Sequence, residues 1–125
     1  MDLTPRLQPG RQRIQSSGDG GFRINGQRHI GSVILTAETI AAWPRASVDH
    51  VDIDDFSELA GLTPAIEILL LGCGDRAVPP PTALHTYLRT LGIGLDVMGT
   101  GAACRTFNVL VQEDRRVAAA LIAVT

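Results

Sequence analysis

The sequence predicts a protein of the α/β class with an antiparallel β meander at its amino-terminal end. Residues from 66 onward alternate strand-like and helical patterns, whereas residues 11–36 contain short β-like pieces separated by turn signals. The length is a third observation, because 125 residues suffice for one domain with its own core and are too few for two. We therefore expect a loose lead-in over residues 1–10 and a single domain over residues 11–125.

The amino-terminal half is predicted to be mainly extended. The pieces "RQRIQS", "FRING" and "RHIGSVILT" are separated by turn signals at residues 16–21 and at Asn25-Gly26, a dipeptide typical of tight hairpins. Beyond them, "TAETIAAW" predicts a short helix or turn that starts at Thr36 and stops at Pro44. "DFSELAGL" predicts a helix of one to two turns that ends at its glycine.

The carboxyl-terminal half is predicted to alternate strands and helices. "IEILLLG", "IGLDVMG" and "RRVAAALIAVT" have the apolar character of buried strands, and "TALHTYLRTLG" and "TGAACRTFNVLVQE" are helical between them. Crossovers of this length make the strands at 66–71 and 93–98 parallel. The loops that follow them, "GCGDR" and "GTGAACR", should then lie close together at the sheet edge where ligands of open α/β sheets bind.

Composition and charge argue against several functional classes. The net charge is −2 at pH 7, with 45% hydrophobic and 19% charged residues, so broad nucleic-acid binding is not expected. No apolar run reaches the roughly 18 residues of a membrane span, and no signal core follows the first residues, so we expect a cytoplasmic protein. Two cysteines do not indicate a disulfide framework in a chain of this size.

Two motifs that bind cofactors or metals in other proteins fail here on their context. "GCGDRA" matches the glycine pattern of dinucleotide-binding loops, but a valine and three prolines at 78–81 separate it from the next helix. Asp52, Asp54 and Asp55 lack the glycine and distal glutamate of a calcium loop and are predicted to cap the Phe56 helix. The three histidines have no ligand spacing. We therefore predict no metal and no cofactor.

The pair Cys104-Arg105 carries the strongest indication of reactivity in the chain. With Thr100 as N-cap, Cys104 lies in the first turns of a helix beside a guanidinium, and both features lower the pKa of a thiol. However, Cys104, Phe107 and Val111 repeat at helical spacing, which predicts a buried packing face. No histidine lies on this helix or after it to serve as a base. We favour burial over catalysis and predict no catalytic residue.

Arg105, Asn108 and Gln112 form a polar stripe on the same helix. Either this stripe is a solvated outer face, or Arg105 points toward the loop edge and recognises a carboxylate or another anion together with Arg76. The candidate ligand-binding residues of the second interpretation are Gly72, Gly74, Arg76, Thr100, Cys104, Arg105 and Asn108.

The stretch "DVMGTGAACRTFNVL" followed by "RRVAAAL" resembles the Mth938-like domain family, which includes mitochondrial complex I assembly factor three and many bacterial proteins. "FRINGQRHIGSVIL" also fits this family, and the resemblance covers roughly residues 10–124. It implies a three-layer fold in which a mixed, mainly parallel central sheet is flanked by helices, with an added N-terminal β layer. Cys73 stands where the family commonly has Thr, and Asp114 where it commonly has Gly, so neither position needs to be catalytic.

Two functional hypotheses remain. The resemblance implies a non-enzymatic protein that binds a protein partner, such as a subunit of a respiratory complex, and assists its assembly. This hypothesis is compatible with a homo-oligomer, and the acidic residues at 49–58 and the missing catalytic constellation support it. The alternative is a protein that binds a small molecule or anion, or a thiol enzyme, at the edge formed by loops 72–76 and 100–105.

Overall fold

The computed structural model describes residues 11–125 of the chain. The lead-in predicted for residues 1–10 lies outside the described residues. Along the described part, the elements are β1 (Ile14–Gly18), β2 (Gly21–Ile24), β3 (Gln27–Ile30), β4 (Val33–Thr36), β5 (Ile40–Ala42), 3-10 helices at Val48–His50 and Ile53–Gly61, β6 (Ile68–Gly72), α1 (Thr82–Thr90), β7 (Gly94–Met98), α2 (Thr100–Gln112) and β8 (Val117–Leu121).

The strands form two sheets. β1, β2 and β3 form a small antiparallel sheet, and the other five strands form a mixed central sheet in the order β5-β4-β8-β6-β7. β6 pairs in parallel with both β7 and β8, whereas β4 pairs antiparallel with β5 and β8. The parallel pairing predicted for the strands on either side of α1 is confirmed. Because β7 and β8 lie on opposite sides of β6, the two helices cover opposite faces of the central sheet.

The predicted amino-terminal meander is confirmed in β1, β2 and β3. The turn between β2 and β3 places Asn25 at a φ of 51° and Gly26 at 78°, as the primed turn of a tight hairpin requires. The third predicted piece is two strands rather than one, because Gly31 adopts a φ of 87° that ends β3 before β4 begins. This break lets the chain leave the small sheet and enter the central one.

The helix predicted in "TAETIAAW" is wrong, although the turn is present. The backbone N–H of Thr36 donates to the carbonyl of Thr39 at 2.9 Å, and the two threonine hydroxyls are 2.7 Å apart. Ile40–Ala42 then pairs with β4 as the edge strand β5. The physical reason is tertiary, because β4 is paired on one side by β8 and its other edge is covered by the returning chain.

The central sheet separates two hydrophobic cores. On one face, side chains of α1 and the 3-10 helices pack against alternate strand residues such as Leu69 and Leu71. On the other face, Leu70 packs under α2, which is itself covered by Ile14, Phe22 and other residues of the small sheet. α2 therefore lies between two sheets, and the three-layer architecture with an added β layer is confirmed.

The apolar face of α1 is buried only in part. Leu84 and Leu88 are within the core, and Tyr87 packs against its margin. Leu91, just beyond the end of α1, is 38% exposed, because the chain turns away at Gly92 with a φ of 74°. The helix thus leaves an apolar side chain at the surface near the start of β7.

Strand β8 lies inside the sheet and carries three consecutive alanines. Ala118 and Ala120 face the core that contains α1, whereas Ala119 faces the core that contains α2. All three are completely buried. Their short side chains let both covering layers approach the middle of the sheet closely.

The end of α2 explains one departure from the family pattern. Asp114 has a φ of 60°, and its N–H donates to the carbonyl of Val111 while the N–H of Arg115 donates to that of Leu110. These two bonds form a Schellman motif, whose left-handed position favours glycine and also accepts aspartate. Asp114 additionally pairs with Arg11. Its role here is to end a helix.

The carboxylate of Asp55 holds the acidic segment, residues 49–58, in place through hydrogen bonds. It accepts hydrogen bonds from Arg45 at 2.8 Å through both oxygens and from the indole N–H of Trp43 at 3.0 Å. It also accepts from the backbone of Asp52, which forms the predicted cap of the helix containing Phe56. Trp43 is itself buried and packs against Phe56.

Burial alone would raise the pKa of Asp55, but the hydrogen bonds from Arg45, Trp43 and Asp52 outweigh it and hold that pKa below its ordinary value. A carboxylate whose pKa is lowered by folding stabilises the protein above its unfolded pKa of about 3.9. This contribution is lost as the pH falls through the lower pKa of the folded state.

We predict that Asp55→Asn lowers the free energy of unfolding by about 1–3 kcal/mol at neutral pH, because an ionised acceptor of several hydrogen bonds is removed. The difference from the wild type should shrink as the pH falls below about 4. Urea unfolding at both pH values measures it. Asp54→Asn, an exposed change of the same charge, is the control and should stay within about 0.5 kcal/mol of the wild type. Equal stabilities of the two variants would contradict the role given to Asp55.

Candidate functional site

The loops after β6 and β7 meet at the carboxyl edge of the central sheet, as the sequence predicts. The N–H of Gly74 donates to the hydroxyl of Thr100 at 2.9 Å, and the N–H of Thr100 donates to the carbonyl of Gly74 at 2.8 Å. The N–H of Cys73 donates to the carbonyl of Met98 at 2.9 Å. Among the candidate residues, these contacts bring Gly74 and Thr100 together, and the backbone of Gly72 packs against Thr100.

Thr100 is a junction rather than a helix cap. Gly99 is the N-cap of α2 and Thr100 is its first residue, so the N-cap role predicted for Thr100 is wrong. The reason is that its hydroxyl turns inward, where it donates to the carbonyl of Ile122 at 2.7 Å while it accepts from Gly74. Thr100 is completely buried. One hydroxyl therefore connects the ends of β6 and β8 to the start of α2.

Two glycines let this junction close. A Cβ atom at Gly72 would lie 3.0 Å from the Cα of Thr100, a distance so short that any larger residue requires the backbone of Thr100 to shift. A Cβ atom at Gly99 would lie 3.4 Å from the Cα of Arg76. Glycine is needed here for close packing of backbone on backbone, and the start of α2 fills the crevice between the carboxyl ends of β6 and β8.

The side chains of the two candidate arginines take no part in the hydrogen bonds of this junction. Arg76 and Arg105 are both exposed. A guanidinium nitrogen of Arg105 lies 3.5 Å from where a Cβ of Gly101 would be, so its side chain folds back along the first turn of α2. Anion recognition by Arg76 and Arg105 stays a prediction.

Cys104 is buried in the core between α2 and the small sheet. Burial raises the pKa of its thiol to about 11, and a hydrogen bond with Ser17 and the charge of Arg105 offset only part of that rise. A thiol with this pKa is almost entirely protonated at neutral pH. The environment of Cys104 is that of a small packed side chain.

Asn108 faces the small sheet and binds one residue of it twice. Its side-chain oxygen accepts from the N–H of Ile14 at 2.9 Å, and its amide nitrogen donates to the carbonyl of Ile14 at 2.8 Å. The register of β1 against β2 shifts between Ile14 and Ser16, so the clamp lies at an irregular point of the strand. Asn108, which belongs to the polar stripe on α2, thus attaches the small sheet to the helix.

Two surface cavities lie away from the candidate residues at the loop junction. One, of about 380 Å³, lies at the opposite edge of the central sheet between the Thr36–Thr39 turn, the loop at 62–66 and residues 114–117. The other, of about 310 Å³, lies beside α2 and is lined by Arg11, Gln12, Arg13, Asn108, Val111 and Gln112. Sequence reasoning missed both, because their walls come from segments far apart in the chain.

The charged residues around the larger cavity are largely paired. Arg115 donates to Glu67 at 2.5 Å, Arg116 lies 3.1 Å from the same carboxylate, and Arg11 pairs with Asp114. The hydrogen bond from Arg115 is the main cause that lowers the pKa of Glu67. This pairing leaves the cavity without a concentrated charge that would select an ionic ligand.

The described residues offer neither a cluster of metal ligands nor a membrane-spanning helix. Within residues 11–125, no three histidine, cysteine, aspartate or glutamate side chains come together in a way that could hold a metal ion. In the same range, no helix combines the length and apolar character needed to cross a bilayer.

We predict that Thr100→Val lowers the free energy of unfolding by about 1–3 kcal/mol, because valine keeps the shape but leaves the N–H of Gly74 and the carbonyl of Ile122 without their partner. Thr100→Ser, which keeps the hydroxyl, should be the more stable variant. Thermal and urea denaturation give the comparison. If the serine variant proves the less stable one, packing of the methyl group rather than hydrogen bonding holds the junction.

The chain is similar in sequence to several known proteins. Curated relatives include the NADH dehydrogenase (ubiquinone) 1 alpha subcomplex assembly factor 3 of Homo sapiens, 38% identical over 109 residues that make up 87% of this chain and 59% of the relative. The Xenopus tropicalis protein of the same name is 36% identical, with 87% and 60% covered. The chain thus spans about three-fifths of the length of these assembly factors. A Rhodobacter capsulatus protein described as uncharacterized is 36% identical, with 87% and 82% covered.

Solved structures share the architecture. A protein described as an outer membrane protein from Bartonella henselae superposes with a TM-score of 0.85 at 40% identity, covering 94% of this chain and 98% of that one. A Mth938-like domain from Bordetella pertussis superposes with a TM-score of 0.80 at 25% identity, covering 98% and 92%. A family model described as a protein of unknown function matches residues 14–122. The chain therefore belongs to the DUF498/DUF598 family and has the Mth938-like fold.

Proposed function

We propose that this chain is a non-enzymatic protein-binding domain that assists the assembly of a respiratory complex by binding a subunit of NADH:ubiquinone oxidoreductase before the subunit is incorporated. The observation that carries the proposal is its identity of 36–38% to assembly factors over 87% of the chain. Since these factors are longer than this chain, we assign partner binding to the domain that they share with it.

The placement of the polar residues supports a binding role. Thr100 and Asn108 are engaged in holding backbone segments together, and burial raises the pKa of Cys104. Polar residues in the part of the sequence that most resembles the family therefore serve the scaffold, and its surface is left to contact other molecules. We further propose that residues 11–125 act as a single domain in the cytoplasm, without a metal, cofactor or nucleic acid.

We predict that Cys104 in the native protein reacts with iodoacetamide at least about 100-fold more slowly at pH 8 than in denaturant. A thiol with a pKa of about 11 is about 0.1% ionised at that pH, whereas one with the ordinary value of 8.5 is roughly one-quarter ionised. Mass spectrometry of the peptides follows Cys104 and Cys73 separately. Rapid native labelling of Cys104 would favour the thiol-enzyme hypothesis instead.

The function itself is tested by deleting the gene in its native organism. We expect severalfold less assembled NADH:ubiquinone oxidoreductase in the membranes, measured on native gels and by NADH oxidation. A tagged copy of the chain should recover a subunit of that complex in its unassembled form. Cys104→Ala should restore assembly, because only packing is altered, whereas Gly72→Phe should not, because its side chain would collide with Thr100.

Two outcomes would overturn the proposed function. One is a normal level of assembled complex in the deletion strain. The other is a turnover activity of the purified protein that Cys104→Ala abolishes, since a residue that acts only by packing cannot be needed for chemistry.

A further inference from the structure

Among the described residues, strand β7 is an edge of the central sheet and has one unpaired side. It pairs with β6 alone among the strands of residues 11–125. The N–H of Gly94 donates to Glu67 and the carbonyl of Met98 accepts from Cys73, so Gly94, Asp96 and Met98 direct their backbone groups toward β6. By alternation, the N–H and C=O groups of Leu95 and Val97 point away from the sheet. Four backbone groups are thus available to a further strand.

Apolar side chains lie beside this edge on both faces of the sheet. Leu95 and Val97 pack partly against the core that contains α1, and Leu91 is 38% exposed at the start of the strand. On the other face, the hydroxyl of Thr106 contacts the sulfur of Met98 at 3.6 Å, which shows that this side of α2 looks toward β7.

α2 extends this apolar margin. Ala102, Thr106 and Val109 lie three or four residues apart and therefore share one helix face. Val109 is 51% exposed, one of three large hydrophobic side chains that stand out from the described surface. A strand added beside β7 would cover Val109 on the α2 face of the sheet and Leu91 on the α1 face.

One charge marks the middle of the edge. Asp96 is exposed, has no ion-pair partner within the part of the chain described here, and shares the α2 face of the strand with Met98. A charge at such a position discourages indiscriminate pairing of sheet edges. The carboxylate of Asp96 gains a partner from a strand that places a cation opposite it, because oppositely charged cross-strand pairs are favourable.

We propose that the free edge of β7 is the docking site for an extended segment of a partner protein, which adds a sixth strand to the central sheet and carries a lysine or arginine opposite Asp96. The identity of the biological partner rests on the proposed function, whereas the site itself rests on the geometry of β7.

A second copy of this chain fits the edge less well. Antiparallel pairing of two β7 strands that uses the outward groups of both Leu95 and Val97 places Asp96 opposite its own copy, and like charges in that position repel. The other free strand of the central sheet, β5, has only three residues and is followed closely by Pro44, so it offers a shorter template.

The site is tested on the purified chain with two blocked peptides of alternating valine and threonine, one with a central lysine and the other with a central glutamate. In hydrogen-exchange NMR of the free protein, the amides of Leu95 and Val97 should exchange quickly, whereas those of Asp96 and Met98 are protected by β6. The lysine peptide at about 1 mM, a concentration suited to a weak complex, should shift and protect the first pair of amides. Absence of any change at Leu95 and Val97 would overturn the proposal.

A matched pair of variants isolates the backbone contribution. Val97→Pro removes an outward N–H without breaking the ladder to β6, and Val97→Ala removes a comparable side chain but keeps that N–H. The proline variant should bind the lysine peptide at least tenfold more weakly than the alanine variant. Equal binding by the two would contradict strand addition.

A charge exchange tests the site independently of whether Val97→Pro folds. Asp96→Lys changes an exposed side chain, and it should reverse the preference so that the glutamate peptide binds more tightly. An unchanged preference would remove Asp96 from the site. Sedimentation of the wild type adds one more outcome, because a dimer that Val97→Pro abolishes would assign the edge to a second copy and overturn the proposal.

The same variants separate this site from the proposed function. In the deletion strain, Val97→Ala should restore assembly of the respiratory complex and Val97→Pro should not, at equal levels of folded protein. If deletion leaves the complex unaffected, the proposed function fails while the peptide measurements still decide the site. If both variants restore assembly, the function stands and β7 is not where the partner binds.

Discussion

The hydroxyl of Thr100 is the interaction on which the arrangement of this fold depends. It accepts from the loop after β6 and donates to the chain just after β8, while its own backbone begins α2. Because the hydroxyl is fully buried, neither hydrogen bond can be replaced by one to bulk solvent. The direction of α2, and with it the position of the small sheet that α2 carries, is therefore fixed by one side chain at the point where three segments meet.

This arrangement explains why Cys104 and Asn108, whose residue types are common in active sites, have structural roles here. α2 is enclosed by the central sheet on one side and by β1 and β2 on another, so Cys104 is drawn into a core and Asn108 into a clamp on Ile14. Burial then raises the pKa of the thiol, which opposes the effect of the nearby guanidinium. The distinctive part of the molecular surface is consequently the edge of the central sheet, where β7 and parts of α1 and α2 are incompletely covered.

Much of the fold could be predicted because the decisive patterns are local. The apolar run at 66–71, the helical spacing of Leu84 and Leu88 and the Asn25-Gly26 turn each encode their structure within a few residues. Strand β5 could not be predicted this way, because it forms to cover β4. The same holds for Thr100 and Asp55, whose partners lie 10 to 26 residues away for most of their hydrogen bonds. Proximity of the two glycine loops was predictable from topology, but the hydrogen bonds that their residues make were not.

The three alanines of β8 limit how this domain can change over evolutionary time. Since Ala118 and Ala120 support one covering layer and Ala119 the other, enlarging any of them pushes against a layer that cannot retreat without disturbing the rest of the sheet. A larger side chain in β8 is therefore tolerated only if the covering helix and the residues beneath that helix change at the same time. Sequences that descend from a common ancestor should therefore diverge first at the outer strands, so that new binding specificities arise at the periphery while the centre stays the same.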